Sequence, residues 1–205
     1  MSQNFPIARP GMRIGLLGGS FDPAHAGHAH ISRIALRRFA LDEVWWLVSP
    51  GNPLKPQGPA ALADRMARAR EVMPDPRVKI TDLEQRLGTH FTADTLNALQ
   101  SHYRGVNFVW LMGADNLIQI DRWDHWRDIF HRMPVGVLAR PGLLMRARYS
   151  KAARVFANAK LPGWRSRELA GSGAPQWCFI NMPMSAESST RIRAAGQWKS
   201  PARGA

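Results

Sequence analysis

Disulfide chemistry is closed to this chain, because Cys178 is its only cysteine. The strand-like neighbours Trp177, Phe179 and Ile180 mark that thiol as buried and inert. Acidic side chains are also scarce: 15 Asp and Glu stand against 28 Lys and Arg, a formal net charge of +13, and no dense carboxylate cage for a divalent cation is apparent. Long apolar runs are missing as well. Stretches such as Val44 to Val48 fall far short of the roughly 18 residues that would span a bilayer. Residues Met1 to Gly11 contain Pro6 and Pro10 but no apolar core segment, which excludes a secretory signal and predicts a loose tail on a cytoplasmic protein. No internal repeat is visible.

What is present suits one globular unit. With 205 residues and 45% hydrophobic side chains, the chain can bury one good core, and a single domain over 12–196 is expected, followed by a fraying end at 197–205. The positive charge raises the question of nucleic acid. Yet the basic residues are dispersed, with local groups at Arg65, Arg68 and Arg70, at Arg146, Arg148 and Lys151, and at Arg191 and Arg193. No RRM, zinc-finger or leucine-zipper pattern accompanies them, so a nucleic-acid partner is not expected. A dispersed positive field steers small polyanions equally well.

Short apolar segments at 12–17, 44–49, 77–81, 106–112, 134–139 and 177–181 read as strands, with helical spacing between them. Ile31, Ile34, Ala35 and Phe39 define a helix over 27–40, and Leu62, Met66, Ala69 and Met73 one over 62–73. Further helices are predicted at 93–102, 114–120, 124–131, 149–158 and 188–195. The alternation is that of a doubly wound, Rossmann-like α/β domain with a parallel sheet, whose ligands bind beyond the carboxyl ends of the strands.

The run Gly18-Gly19-Ser20-Phe21-Asp22-Pro23-Ala24-His25-Ala26-Gly27-His28 follows the first predicted strand. Two glycines would let the backbone approach a ligand closely, and the following helix offers unpaired N–H groups. His25 and His28, three residues apart, face one side of that helix start, a setting that attracts anions. The dinucleotide fingerprint and the P-loop both fail on spacing. A zinc site would need His30, which lies roughly 200° around the helix from His28. The plain alternative is that both histidines cap and pack a helix start.

This run resembles the H-x-G-H signature of the nucleotidyltransferase superfamily, and later segments resemble bacterial nicotinate-nucleotide adenylyltransferases, over about Met12 to Ala195. Class I aminoacyl-tRNA synthetases share a similar signature, but no Lys-Met-Ser-Lys-Ser-like segment is present. The resemblance implies adenylyl transfer from ATP to nicotinate mononucleotide, with pyrophosphate released and Mg²⁺ arriving on ATP. Other acceptors used in the superfamily, nicotinamide mononucleotide or phosphopantetheine among them, are the alternatives. His25 and His28 would be catalytic, and Gly18, Gly19, Ser20 and Phe21 would shape the ATP site.

The remaining motifs follow predicted strands. Ser49 to Pro56 is a proline-stiffened loop in which the resemblance makes Lys55 a phosphate contact, with Leu54 where the family has histidine. Thr89-His90-Phe91-Thr92-Ala93-Asp94-Thr95-Leu96 is similar to the Ser-Tyr-Thr-x-x-Thr-Leu motif, with Phe91 in place of tyrosine; Thr92 is a natural N-cap, and the helix start suits a nicotinate carboxylate. Gly113-Ala114-Asp115 places a carboxylate at a strand-to-helix junction, and by resemblance Asp115 holds the mononucleotide while Trp123 stacks on its pyridine ring. Arg140 matches an arginine near the phosphates. Ser188-Ser189-Thr190-Arg191-Ile192-Arg193 resembles the family's last motif, with Glu187 before it where an apolar residue is usual. There Ser188 is a candidate N-cap, and Arg191 in the first turn opposes the helix dipole by about 0.3–1 kcal/mol, which suggests an anion. Ser188, Thr190 and Arg193 would hold ATP phosphates.

Overall fold

A computed structural model describes residues 5–51, 58–139, 142–182 and 189–198. Seven parallel strands form one sheet: β1 (Arg13–Gly19), β2 (Glu43–Val48), β3 (Val78–Thr81), β4 (Asn107–Gly113), β5 (Val135–Ala139), β6 (Lys160–Leu161) and β7 (Trp177–Asn181). Their spatial order is β3-β2-β1-β4-β5-β7-β6. The direction of winding reverses between β1 and β4, which pair with Leu16 opposite Trp110. A crevice therefore opens beyond the carboxyl ends of these two strands.

Strand alternation explains why both faces are covered. On β2, Trp45 and Leu47 face one core, and Val44, Trp46 and Val48 face the other. On β4, Phe108, Trp110 and Met112 join the first core, while Val109 and Leu111 join the second. Such runs, apolar at every position, belong to a parallel sheet sandwiched by helices. Helices α1 (Ala26–Arg38) and α2 (Leu62–Val72) cover the second face together with the 3₁₀ segment Gly163–Gly171. The first face carries α3 (Leu83–Leu87), α4 (Thr92–His102), α5 (Ala114–Gln119), α6 (Trp126–Arg132), α7 (Leu144–Arg148) and α8 (Lys151–Val155). The last helix, α9 (Ser189–Ala194), lies near the start of α1.

The six strands expected from the sequence are all present, and β6, two residues long, is additional. Two residues carry no periodicity by which a strand could be read. The helix expected over 149–158 is the shorter α8 followed by a 3₁₀ turn at Ala157–Ala159, and a separate α7 precedes it across a break at Ser150. Ser150 causes the break: its hydroxyl accepts from the N–H of Ala153 at 3.3 Å and starts a new helix there. Residues 5–11 lie against the body, where Tyr103 donates to the carbonyl of Pro6 at 2.9 Å and Gly11 donates to that of Gly105 at 2.7 Å.

Gly18, the last residue but one of β1, is a glycine for a packing reason. A methyl group at this position would overlap Cη2 of Trp110, which is 2% exposed and passes beneath it. The glycine admits the indole, and only then does the backbone reach the crevice. Gly18→Ala should therefore cost about 1–3 kcal/mol of stability, read as a lower denaturant midpoint with the far-UV spectrum retained. An unshifted midpoint would contradict this account of the position.

Candidate active site

His25 is the N-cap of α1, with extended backbone at φ −148° and ψ 169°. Its Nδ1 accepts from the N–H of Gly27 at 3.1 Å, and the N–H of His28 also points to this ring. In return, Nδ1 of His28 accepts from the N–H of His25 at 3.3 Å. This is a capping box built from two imidazoles. The exchange has a chemical consequence, because a ring nitrogen that accepts a backbone N–H carries no proton. In the neutral imidazole the proton then resides on Nε2, making both Nε2–H groups donors. The two rings lie 4.0 Å apart between centroids. Beneath them Phe21 stacks on Trp46 at 4.7 Å and sits 4.8 Å from His28. Trp46 is anchored in turn, its indole donating to Ser32 at 2.7 Å and Ser32 donating to the carbonyl of His28 at 3.0 Å.

The loop ahead of the histidines is braced on two sides. From below comes Arg65, 1% exposed, whose guanidinium donates to the carbonyls of Ala60 at 2.7 Å, Ser20 at 2.6 Å, Ser49 at 2.8 Å and Pro50 at 3.5 Å. Burial pulls the guanidinium pKa down, and the negative charge of Asp22 opposes that pull. From above comes the segment 189–198. Ser189 donates to the carbonyl of Pro23 at 3.0 Å, Arg193 donates to the carbonyl of Asp22, and the Trp198 indole donates to Asp22 Oδ1 at 2.8 Å. The N–H of Ala60 reaches the same carboxylate at 3.4 Å. These contacts hold Phe21 at φ 47°, a left-handed conformation uncommon for a bulky residue.

Beside the loop lies a pocket of about 430 Å³ at the winding reversal. Gly18 and Gly19 form one wall, Ser49 to Gly51 another, and Glu84, Phe91, Thr92, Trp110, Asn116 and Trp123 complete it. Trp123 is half-buried and packs against the first core, whereas Trp126 is wholly part of that core. Phe91, 49% exposed, presents its ring at the rim. Burial pushes the Glu84 carboxyl up to about 7.

The structure thus brings His25, His28, Gly18, Gly19, Ser20 and Phe21 together on one loop, with Thr190 and Arg193 on the strap above it and Thr92 and Trp123 in the neighbouring pocket. Asp115 is exposed at the start of α5 and folds back over Gly113, where any side chain would collide with it. Lys55, Arg140 and Ser188 lie outside the described residues. One expectation needs correction: Phe91, not Thr92, occupies the N-cap of α4, and no side chain caps it. The helix starts one residue earlier than expected, and the hydroxyl bonding is taken over by Thr95, which meets Thr89 at 2.7 Å and Phe91 O at 3.1 Å. Arg193, expected at phosphates, engages the loop backbone and lies 3.9 Å from the Asp22 carboxylate. Arg65 was absent from the expected site. Its signal was an arginine on the stripe of α2 that also carries Leu62, Met66, Ala69 and Met73.

A braced loop bearing two imidazole donors, at the reversal point of a parallel sheet, defines a nucleotide-handling α/β protein. A family model described as cytidylyltransferase-like matches residues 16–195. The chain is 62% identical over 198 residues to the probable nicotinate-nucleotide adenylyltransferase of Roseobacter denitrificans, covering 97% of this chain and 100% of the relative. It is 61% identical over 191 residues to the protein of that name from Cereibacter sphaeroides, covering 93% and 100%. The fold is shared with Plasmodium falciparum nicotinic acid mononucleotide adenylyltransferase complexed with NaAD, at 17% identity and a TM-score of 0.64, over 89% of this chain and 83% of that one. The chain belongs to the nicotinate-nucleotide adenylyltransferase family.

The raised Glu84 carboxyl carries a stability prediction. Below its unfolded value of 4.5 it is neutral in both states and costs nothing. As pH rises toward 7 the unfolded chain ionises first, so the folded state loses stability relative to it. Glu84→Gln should raise the thermal midpoint at pH 8 and leave it unchanged at pH 4; no gain at pH 8 would contradict the assignment.

Proposed function

We infer that this protein transfers the adenylyl group of ATP to nicotinate mononucleotide, giving deamido-NAD and pyrophosphate. The 5′-phosphate of the mononucleotide attacks the α-phosphorus in line with the departing pyrophosphate. Phosphate is already ionised at neutral pH, so no protein nucleophile or base is needed, and catalysis rests on alignment and charge stabilisation. The observation that carries this reading is the pair of Nε2–H donors fixed by the capping box of α1.

In this mechanism His25 and His28 donate to the α-phosphate, where negative charge builds as the bond to pyrophosphate breaks. Ser20 and the backbone of Gly18, Gly19 and Phe21 line the triphosphate path. Thr190 and Arg193, on the strap over the loop, would hold the same phosphates, with Arg140 and Ser188 as further ATP contacts, and Lys55 would meet the phosphate of the mononucleotide. Trp123 stacks on the pyridine ring, the start of α4 at Thr92 offers N–H groups to its carboxylate, and Asp115 accepts from ribose hydroxyls. Among the described residues no group of three or more His, Cys, Asp or Glu side chains could hold a metal ion. Mg²⁺ would enter as part of the substrate, held by the phosphates and water. No helix among the described residues is long and apolar enough to cross a membrane, and a cytoplasmic enzyme would draw directly on the ATP pool.

Two substitutions test these roles. Asparagine can reproduce the Nδ1 acceptor of histidine but not the distant Nε2 donor, so His28→Asn should keep the helix cap and lower kcat by about 10²–10³-fold. A near-normal rate in that variant would remove His28 from the chemistry. Trp123→Ala should weaken mononucleotide binding by about 1–3 kcal/mol, read as a raised KM for the mononucleotide with KM for ATP little changed. An unchanged KM for the mononucleotide would exclude stacking.

A further inference from the structure

Two residues lining the pocket beside Trp123 carry polar groups that nothing among the described residues satisfies. The Trp110 Nε1–H is buried without an acceptor. Glu84, half-buried on α3, makes no hydrogen bond or ion pair and lines the same pocket as Thr92 and Trp123. The charged groups of the elements around it are engaged elsewhere or lie along other faces. Asp82 and Arg86, at the ends of α3, pair with each other at 2.6 Å. On β2, Glu43 accepts from the Trp45 indole at 2.8 Å and pairs with Lys79 at 3.7 Å. α4 carries Asp94 and His102, the latter against the ring of Phe5 at 4.7 Å. His90 lines the pocket with Glu84.

A lone carboxyl in a pocket that receives a pyridine carboxylate creates an electrostatic constraint. Two carboxylates in contact cannot both stay ionised, and one shared proton converts their repulsion into a strong charge-assisted hydrogen bond. A carboxamide needs no such proton, since its NH₂ group can donate to a carboxyl oxygen of Glu84 whether that group is neutral or ionised. Building on the functional reading above, we propose that Glu84 reads the pyridine substituent, sharing one proton with the carboxylate of nicotinate mononucleotide and accepting from the amide of nicotinamide mononucleotide. Burial sets the pH range. With its carboxyl raised to about 7, free Glu84 is protonated in mildly acidic solution and ionised above neutrality. Binding of the acid therefore draws a proton from solvent at pH 8 and none at pH 6, while binding of the amide draws none at Glu84 at either pH. Preference for acid over amide falls as pH rises.

Calorimetric titration of the full chain with each mononucleotide, in buffers of different ionisation enthalpy, tests this directly. At pH 8 the acid should take up close to one proton more than the amide; the 5′-phosphate is common to both and cancels. At pH 6 the difference should be near zero. The ratio of the two affinities should shift toward the amide by about tenfold between pH 6 and pH 8. In Glu84→Gln the excess proton uptake should vanish and the ratio should become independent of pH, with the change falling in KM of the acid rather than in kcat. Equal proton uptake by acid and amide in the parent protein at pH 8 would overturn the role of Glu84 and leave the enzyme's activity intact, as would persistence of the excess in Glu84→Gln. Failure of both mononucleotides to bind or to be adenylylated would overturn the functional reading together with this inference.

Discussion

At the start of α1 two histidines cap each other's backbone, and the proposed chemistry of the protein depends on that exchange. His25 accepts from Gly27 and His28, and His28 accepts from His25, all through the ring nitrogen nearer the main chain. A helix needs its first N–H groups satisfied, and this one spends imidazole acceptors on the task where a serine or aspartate is usual. Each ring therefore keeps its proton on the far nitrogen, aimed away from the helix as a donor. Capping and the proposed anion binding, which looked like rival explanations of the same two residues, would occupy opposite ends of each ring.

Donors of this kind help catalysis only if they are held still, and the rest of the local structure does that. The aromatic stack of Phe21 and Trp46 supports the rings from below. Arg65 gathers carbonyls from three separate stretches of chain, at Ser20, at Ser49 and Pro50, and at Ala60, so the loops after β1 and β2 cannot move independently. Asp22 ties the same loop to the 189–198 strap through Trp198, with Arg193 on its carbonyl. A positively charged chain thus uses its buried Arg65 to organise backbone. The preorganisation expected of a charge-stabilising site arises here from main-chain carbonyls pinned by one guanidinium.

Much of this was legible in the sequence, for identifiable reasons. Six strands were readable because a parallel sheet buried on both faces demands continuous apolar runs such as Val44–Val48 in β2. The signature run could be located because glycines, a proline and paired histidines break the apolar pattern at a strand end. The two-residue β6 and the break at Ser150 were not readable, since neither leaves a periodic trace. Thr92 was misplaced by one residue because a threonine at a helix start reads as a cap whether or not its neighbour takes the position. Gly18 shows a different limit. Its glycine was visible, but the reason for it, an indole from β4 passing beneath, is a long-range contact that no local pattern encodes. Glu84 was missed for the same reason, because a half-buried carboxyl becomes recognisable only when its surroundings are known, whereas Arg65 had left a trace on the apolar stripe of α2.

The tautomer of the paired histidines is the point on which the account turns, and nitrogen-detected NMR of the imidazole rings measures it. At neutral pH, with no nucleotide present, His25 and His28 should each show an unprotonated Nδ1 and a protonated Nε2. A proton on Nδ1 of either ring would mean that the reciprocal cap does not exist in solution, and the orientation of the donors would lose its basis.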